Sequence, residues 1–166
     1  MGKFNNKISA EFHPPRKWVL ERALSYTNPD IDVDALQGVG VKVTGHKITV
    51  KKDFVTDLAS VPRMCWMFIA PWDVARAAII HDLLYKRIRQ YRAENEDNND
   101  PNIEEIQRTY KVAKKEADNV FHMAMKDAAP SVAKWKIFSA YWSVRLFGRW
   151  SIIPRVEYLS GKNKDD

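Results

Sequence analysis

The sequence predicts an α+β domain: a small antiparallel N-terminal sheet followed by three helices, the first two antiparallel to each other. Three observations carry this. Short β-rich runs fall in the first 56 residues, separated by Asn, Pro, Asp and Gly turn signals. Two long segments after residue 73 repeat apolar residues at helical spacing. Pro101 stands near the start of one helical pattern, where a missing N–H removes no intrahelical bond, Pro130-Ser131 opens another, and Pro71 precedes the Asp73 cap of the first. The 166 residues are expected to form one domain, residues 1–166. Within it, residues 1–62 read as strand- and loop-rich, 63–155 as helical with an acidic connection at 93–104, and 156–166 as a polar tail.

Lys17–Leu20 reads as a short strand, and Asn28-Pro29-Asp30 as a turn. Val39–Val43 and Lys47–Val50 read as strands joined by a Thr44-Gly45-His46 turn, and Phe54 closes a further strand. Asp73 is the expected N-cap of a helix over Val74 to about Arg92. The second helix is expected from near Pro101 to about Lys126. The third opens at Pro130-Ser131 and ends near Gly148, a residue suited to the C′ position, with Pro154 barring continuation.

Composition excludes several classes. Lys plus Arg number 27 against 21 Asp plus Glu, a net charge of +6 with pI near 9.4. The single Cys65 rules out an intramolecular disulfide framework and a cysteine-based zinc cage. The start, MGKFNNKISAEF, lacks the apolar run of a signal peptide, and Asn6 stands where N-myristoylation wants Ser or Thr. No window has the apolar length of a transmembrane segment, so synthesis in a reducing cytoplasm is expected. Charge is segregated along the chain. Lys86, Arg87, Arg89 and Arg92 precede six acids between residues 93 and 105, and no acid occurs between Ala133 and Glu157. These basic stretches read as solvated helix ends or as cationic faces for phosphates or lipid headgroups. They lack the dense Lys/Arg clustering of a nucleic-acid arm, which disfavours nucleic acid as a partner.

The first helix carries an apolar stripe of Val74, Ala77, Ala78, His81, Leu84, Tyr85 and Ile88. His81 stands mid-stripe where Leu is expected, with Asp82 at the edge. A buried imidazole needs partners for both nitrogens; a core histidine bonded to a backbone carbonyl is the plain reading. The second helix has its own stripe of Val112, Ala113, Ala117, Val120, Phe121, Ala124 and Ala128, with Asp118 beside it. Antiparallel packing brings Asp118 towards the His81 ring. A carboxylate on one ring nitrogen fixes the tautomer and leaves the other to act as a base on water or to bind a metal. The plain alternative for Asp118 is a surface charge paired with Lys114, Lys115 or His122.

The loop Phe54-Val55-Thr56-Asp57-Leu58-Ala59-Ser60-Val61-Pro62-Arg63 offers carboxylate, hydroxyl and carbonyl oxygens to a hard cation, or caps itself as an Asx/ST turn. Residues 64–72, with Trp66 and Trp72, are the most apolar stretch. They read as core, as a pocket wall or as a membrane-interface patch.

The blocks FVTDLASVPR, HDLLY and ADNVFHMAM, followed by VRLFG, resemble the domain of unknown function 1353 family of tailed phages and prophages, from about Val50 to Gly148. That resemblance implies a phage-encoded protein made in the host cytoplasm, with incorporation in the virion or contact with other phage proteins left open. A shorter similarity links H-D-x-x-Y and the facing Asp to the His-Asp helix pair of phospholipase A2. It implies His81 as general base, Asp118 as its orienting group, Tyr85 supporting Asp118, and Asp82 as ligand to a divalent cation, calcium in preference to zinc. Asp57 would be a second metal ligand, with Ser60 beside it replacing absent loop carbonyls. Thr56, Arg63, Trp66 and Trp72 complete the substrate-contacting or supporting set. The disulfides and Gly-rich calcium loop of that group are absent here. Two functions follow as expectations: a metal-assisted hydrolase of a lipid or envelope ester at a membrane surface, or a non-enzymatic virion or host-interaction protein with a structural His-Asp pair.

Overall fold

The computed structural model describes residues 1–5, 7–14, 17–56, 71–97, 99–128 and 131–154, with the side chains of 71–73 excepted. Among the described residues, seven strands precede the long helices: β1 (Lys3–Phe4), β2 (Ala10–His13), β3 (Lys17–Leu20), β4 (Leu24–Thr27), β5 (Val43–Thr44), β6 (Lys47–Val50) and β7 (Val55–Thr56). A one-turn helix α1 (Val33–Gln37) lies between β4 and β5. Then come α2 (Pro71–Asn95), α3 (Ile103–Lys126) and α4 (Lys134–Ser151). The class is α+β, as the periodicities require.

The strands divide into two antiparallel sheets, ordered β1-β4-β6-β5 and β2-β3-β7. In β6 Ile48 and Val50 are buried while Lys47 and Thr49 are exposed, the period-2 alternation of a half-buried strand. Central β4 pairs Tyr26 with Ile48 and Leu24 with Val50, and Ser25 and Thr49 meet through their hydroxyls at 3.0 Å. In the smaller sheet β7 pairs with β3, setting Trp18 opposite Thr56. That pairing delivers Thr56 to the helices.

Two local details differ from expectation. The β5–β6 loop has two residues, Gly45 and His46, because Thr44 already pairs with Lys47. Both have positive φ (55° and 57°), the left-handed pair of a type I′ hairpin; the His46 ring reaches the Ile31 carbonyl at 3.1 Å. Val39 and Val41 are buried outside any strand. Their N–H groups bond back to the Leu36 carbonyl at the end of α1, so hydrogen bonding there is helical rather than sheet-like.

The helices pack as an antiparallel series. His81 faces Phe121, Tyr85 faces Asp118, and the Arg92 guanidinium lies over the Tyr110 ring at 4.4 Å, so α2 and α3 run oppositely. His122 stacks on Tyr141 at 4.7 Å and Lys114 reaches the Val144 carbonyl at 3.4 Å, so α4 runs against α3. α2 contacts β4 and β6 as well as α3, and is buried on more than one side: Ala75, Ile79 and Ile80 join the expected stripe. This is a central helix rather than a surface one, and it explains why Asp82 is inside too. In α3 the buried face runs through Tyr110, Ala113, Ala117, Val120, Phe121, Ala124 and Met125. Val112, placed in that stripe by the sequence, faces out.

Helix ends account for the other corrections. α2 begins at Pro71, so Asp73 is its third residue and not its cap; proline's fixed φ suits the first position. Gly148 is not a C′ residue, because α4 continues to Ser151. Its terminal carbonyls need no glycine turn. Arg89 donates to the Ser151 carbonyl and Arg92 to the Ile152 carbonyl, each at 2.9 Å. Gly148 is instead a close-approach residue: a Cβ there overlaps the Tyr85 hydroxyl.

Candidate functional site

The centre of the three-helix packing is polar. His81 and Asp118 are both fully buried, and His81 Nε2 lies 3.2 Å from Asp118 Oδ1. The Tyr85 hydroxyl donates to the same oxygen at 2.7 Å. The other oxygen, Oδ2, accepts from Lys114 Nζ at 2.8 Å and Arg145 Nη1 at 3.3 Å. Every donor has a reason to be there. His81 and Tyr85 are one turn apart on α2, Lys114 precedes Asp118 by one turn on α3, and Arg145 comes from α4. One carboxylate thus ties three helices together.

Burial pushes the His81 pKa below its ordinary 6.5, against the pull of Asp118, which favours the neutral ring at neutral pH. Burial opposes ionisation of Asp118, but the hydrogen bonds from His81 and Lys114 outweigh it and hold the pKa below 3.8. Burial, then the charge of Asp118, pushes the Tyr85 phenol up, which keeps it a donor. A neutral imidazole facing a carboxylate carries its proton on Nε2. The lone pair is then on Nδ1, which has no hydrogen-bond partner among the described residues. The ring is clamped between Tyr85, at 4.0 Å between centroids, and Phe121, at 4.8 Å. Both the tautomer and the ring plane are set by the fold.

These shifts fix a pH dependence. Below about pH 6.5 the unfolded chain protonates His81 while the folded chain does not, so stability falls as pH drops through that value. His122, also lowered by burial, adds to the slope. The expected slope from the buried His81 is up to about 1.4 kcal/mol per pH unit, and the solvent-screened His122 contributes less. Asp118 adds a loss only below its unfolded value of 3.8. Urea midpoints from pH 7.5 to 4.5 read this directly, and His81→Gln should flatten the curve. An unchanged slope in that variant would remove His81 as its source.

Asp82 lies about 100° round α2 from His81. It accepts from the Thr56 hydroxyl, and both residues are buried. The chain therefore brings together His81, Asp118 and Tyr85 in one group and Asp82 and Thr56 in another. Asp57, Ser60, Arg63 and Trp66 lie outside the described residues, as does the side chain of Trp72. Among the described residues no three His, Cys, Asp or Glu side chains come together as a metal site. Asp118 is unsuited to a cation because two cationic side chains already occupy Oδ2. Asp82 and Thr56 together supply one carboxylate and one hydroxyl, short of the about six to eight oxygens calcium takes. The described residues by themselves do not fit a metal ion.

Sequence reasoning missed Arg145 and underrated Lys114 at this site. Lys114 was visible as the i−4 neighbour of Asp118, but as a surface pair. Arg145 was visible only as one cation in an acid-free helix. A second polar knot was also missed. Asp127, at the end of α3, accepts from the Gly2 amide at 2.8 Å, the Tyr26 hydroxyl at 2.6 Å and Asn28 Nδ2 at 3.1 Å, tying the sheet to the helices.

The fold and site define an α+β protein whose central helix presents a buried, carboxylate-oriented histidine. The chain belongs to the DUF1353 family, described as a protein of unknown function, whose family model matches residues 36–144. The match takes in the last two residues of α1, the β5–β6 hairpin, Thr56, and both helices of the His-Asp pair. No curated protein and no solved structure matches the chain.

Proposed function

We propose that this chain is a phage-encoded hydrolase in which His81 is the general base for water attack on an ester of a lipid or cell-envelope component. The observation that carries the reading is the asymmetry of the His81 ring. Nε2 is engaged by an ionised Asp118, while Nδ1 keeps its lone pair and has no partner among the described residues. A buried, unsatisfied acceptor costs about 1–3 kcal/mol, and such groups concentrate where chemistry uses them. Asp118 stabilises the imidazolium formed when His81 takes the proton from water, and Tyr85 holds Asp118 in place. The resemblance to the phospholipase A2 helix pair supports the same roles and supplies the substrate class.

A second reading has its own support. Asp118 is saturated by four donors from three helices, and both it and His81 are without solvent exposure. On that reading the network is a structural knot in a virion component or a host-interaction protein.

One experiment separates them. The wild type and His81→Gln are assayed on p-nitrophenyl esters and ester phospholipid vesicles, with and without added calcium, beside thermal midpoints. The hydrolase reading expects activity to fall at least about 100-fold while the fold survives. Absence of hydrolysis by the wild type across that panel, with His81→Gln markedly destabilised, establishes the structural knot instead.

A further inference from the structure

α4 has two apolar faces. Ile137, Ala140, Val144 and Gly148, spaced by three, four and four, face the protein and are buried. At 100° per residue, Trp135, Phe138, Trp142, Leu146 and Trp150 centre on the side diametrically opposite. All five are exposed, Phe138 at 64% and Trp135 and Trp150 at 54% each. Ile153 continues the row just past the helix and is exposed as well. Soluble surfaces scatter single apolar residues; a continuous row of three Trp, one Phe and one Leu along one helix marks a contact surface.

Charge selects the occupant. No acidic residue occurs from Ala128 to Arg155, while Lys134, Lys136 and Arg149 are spread along α4 and Arg145 is turned inward to Asp118. Arg149 stands within the exposed row itself, its guanidinium 4.2 Å from the Trp150 ring centroid. A second copy of the same face would set these cations against each other across a symmetric contact. An anionic bilayer matches both features: Trp and Phe seat at the headgroup–acyl boundary, and Lys and Arg meet the lipid phosphates. No described helix is long and apolar enough to cross a membrane, so the contact lies in the plane of the interface.

We infer that the outer face of α4 (Trp135, Phe138, Trp142, Leu146 and Trp150, flanked by Lys134 and Arg149) is a docking surface for the surface of an anionic lipid bilayer. This deepens the lipid-ester reading of the proposed function, yet it requires no catalysis. Its test therefore reads binding alone.

The full chain is mixed with vesicles of ether-linked phosphatidylcholine, with or without 30% ether-linked phosphatidylglycerol (roughly the charge density that gives polybasic attraction). The ether linkage removes hydrolysis from the measurement. Co-sedimentation and a blue shift of Trp fluorescence are expected on the phosphatidylglycerol vesicles. Arg149→Gln should weaken binding about fivefold, the effect of one surface cation near an anionic membrane. Phe138→Gln with Trp142→Gln should weaken it at least tenfold with little change in thermal midpoint, since both side chains are solvent-exposed and neither belongs to the buried core. Three results overturn the inference: no binding to the anionic vesicles, equal binding to both compositions, or a wild-type dimer that these same variants dissociate, which would make the face a self-association surface.

Discussion

Asp118→Asn is expected to destabilise the fold by about 3–5 kcal/mol, the range for removing one partner of a buried ion pair. The carboxylate is fully buried, and its charge compensates Lys114 and Arg145 on the same oxygen. Asparagine keeps the shape and one acceptor oxygen. It removes the charge and leaves two cations facing a neutral amide. Its NH2 group also meets donors wherever it turns, because all four neighbours of the carboxylate donate. For a chain of this length the loss corresponds to roughly 10 °C in Tm. Equilibrium urea denaturation at pH 7 checks it. The mechanism makes a second demand: Lys114→Met in the Asp118→Asn background should recover about 1 kcal/mol or more, because an uncompensated cation is removed. A loss below 1 kcal/mol for Asp118→Asn would mean the network is not holding the helices. This expectation also shapes the catalytic test. Because Asp118 is structural whatever else it does, His81→Gln is the more informative substitution for activity.

Gly148→Ala comes second in expected size, and two principles give it opposite signs. Helix propensity alone says alanine in a helix interior is favoured by about 1 kcal/mol. Packing says otherwise. A Cβ at Gly148 overlaps the Tyr85 hydroxyl and lies 3.2 and 3.3 Å from Tyr85 Cζ and Cε2. The ring cannot swing away freely, since its hydroxyl is committed to Asp118 and its face to His81. Overpacking in such a site costs about 1–3 kcal/mol, so a net loss of about 2 kcal/mol is expected. In a Tyr85→Phe background the same change should cost at least 1 kcal/mol less, because the worst overlap is removed. Stabilisation by Gly148→Ala in the wild type would show that α4 can move away from α2. The close approach would then not be needed for the site.

The His-Asp pair was legible because both residues break an otherwise apolar helical pattern. His81 interrupts a stripe of Ala, Leu and Ile, and Asp118 sits beside Ala117 and Val120. Antiparallel pairing across a short connection does the rest. Tyr85 read as one more member of the apolar stripe, and its link to Asp118 came only from the resemblance to the phospholipase A2 helix pair. Much of the sheet was not. β1, β2 and β4 carry two to four residues each, too few for alternation to stand out, and Leu24–Thr27 is buried on both faces and so shows none. α1 was invisible for the same reason of length, although Asp32 caps it in the expected way, accepting from the Ala35 amide at 3.1 Å. The readings of Asp73 as cap and Gly148 as stop failed differently. Each was sound locally, and each was overridden by a tertiary partner or by the early start at Pro71.

By itself the sequence determined the class of fold, the three long helices, the β5–β6 turn region and the likeness of its motifs to one family. Those features follow from local periodicity and from residue types that tolerate few conformations. Only the tertiary structure decided that Arg145 joins Lys114 on Asp118, why α4 carries a glycine at 148, and which ring nitrogen of His81 Asp118 engages. Each of these depends on groups more than twenty residues apart meeting in a buried space. There, unpaired charge and overlapping atoms cost more than any local preference returns.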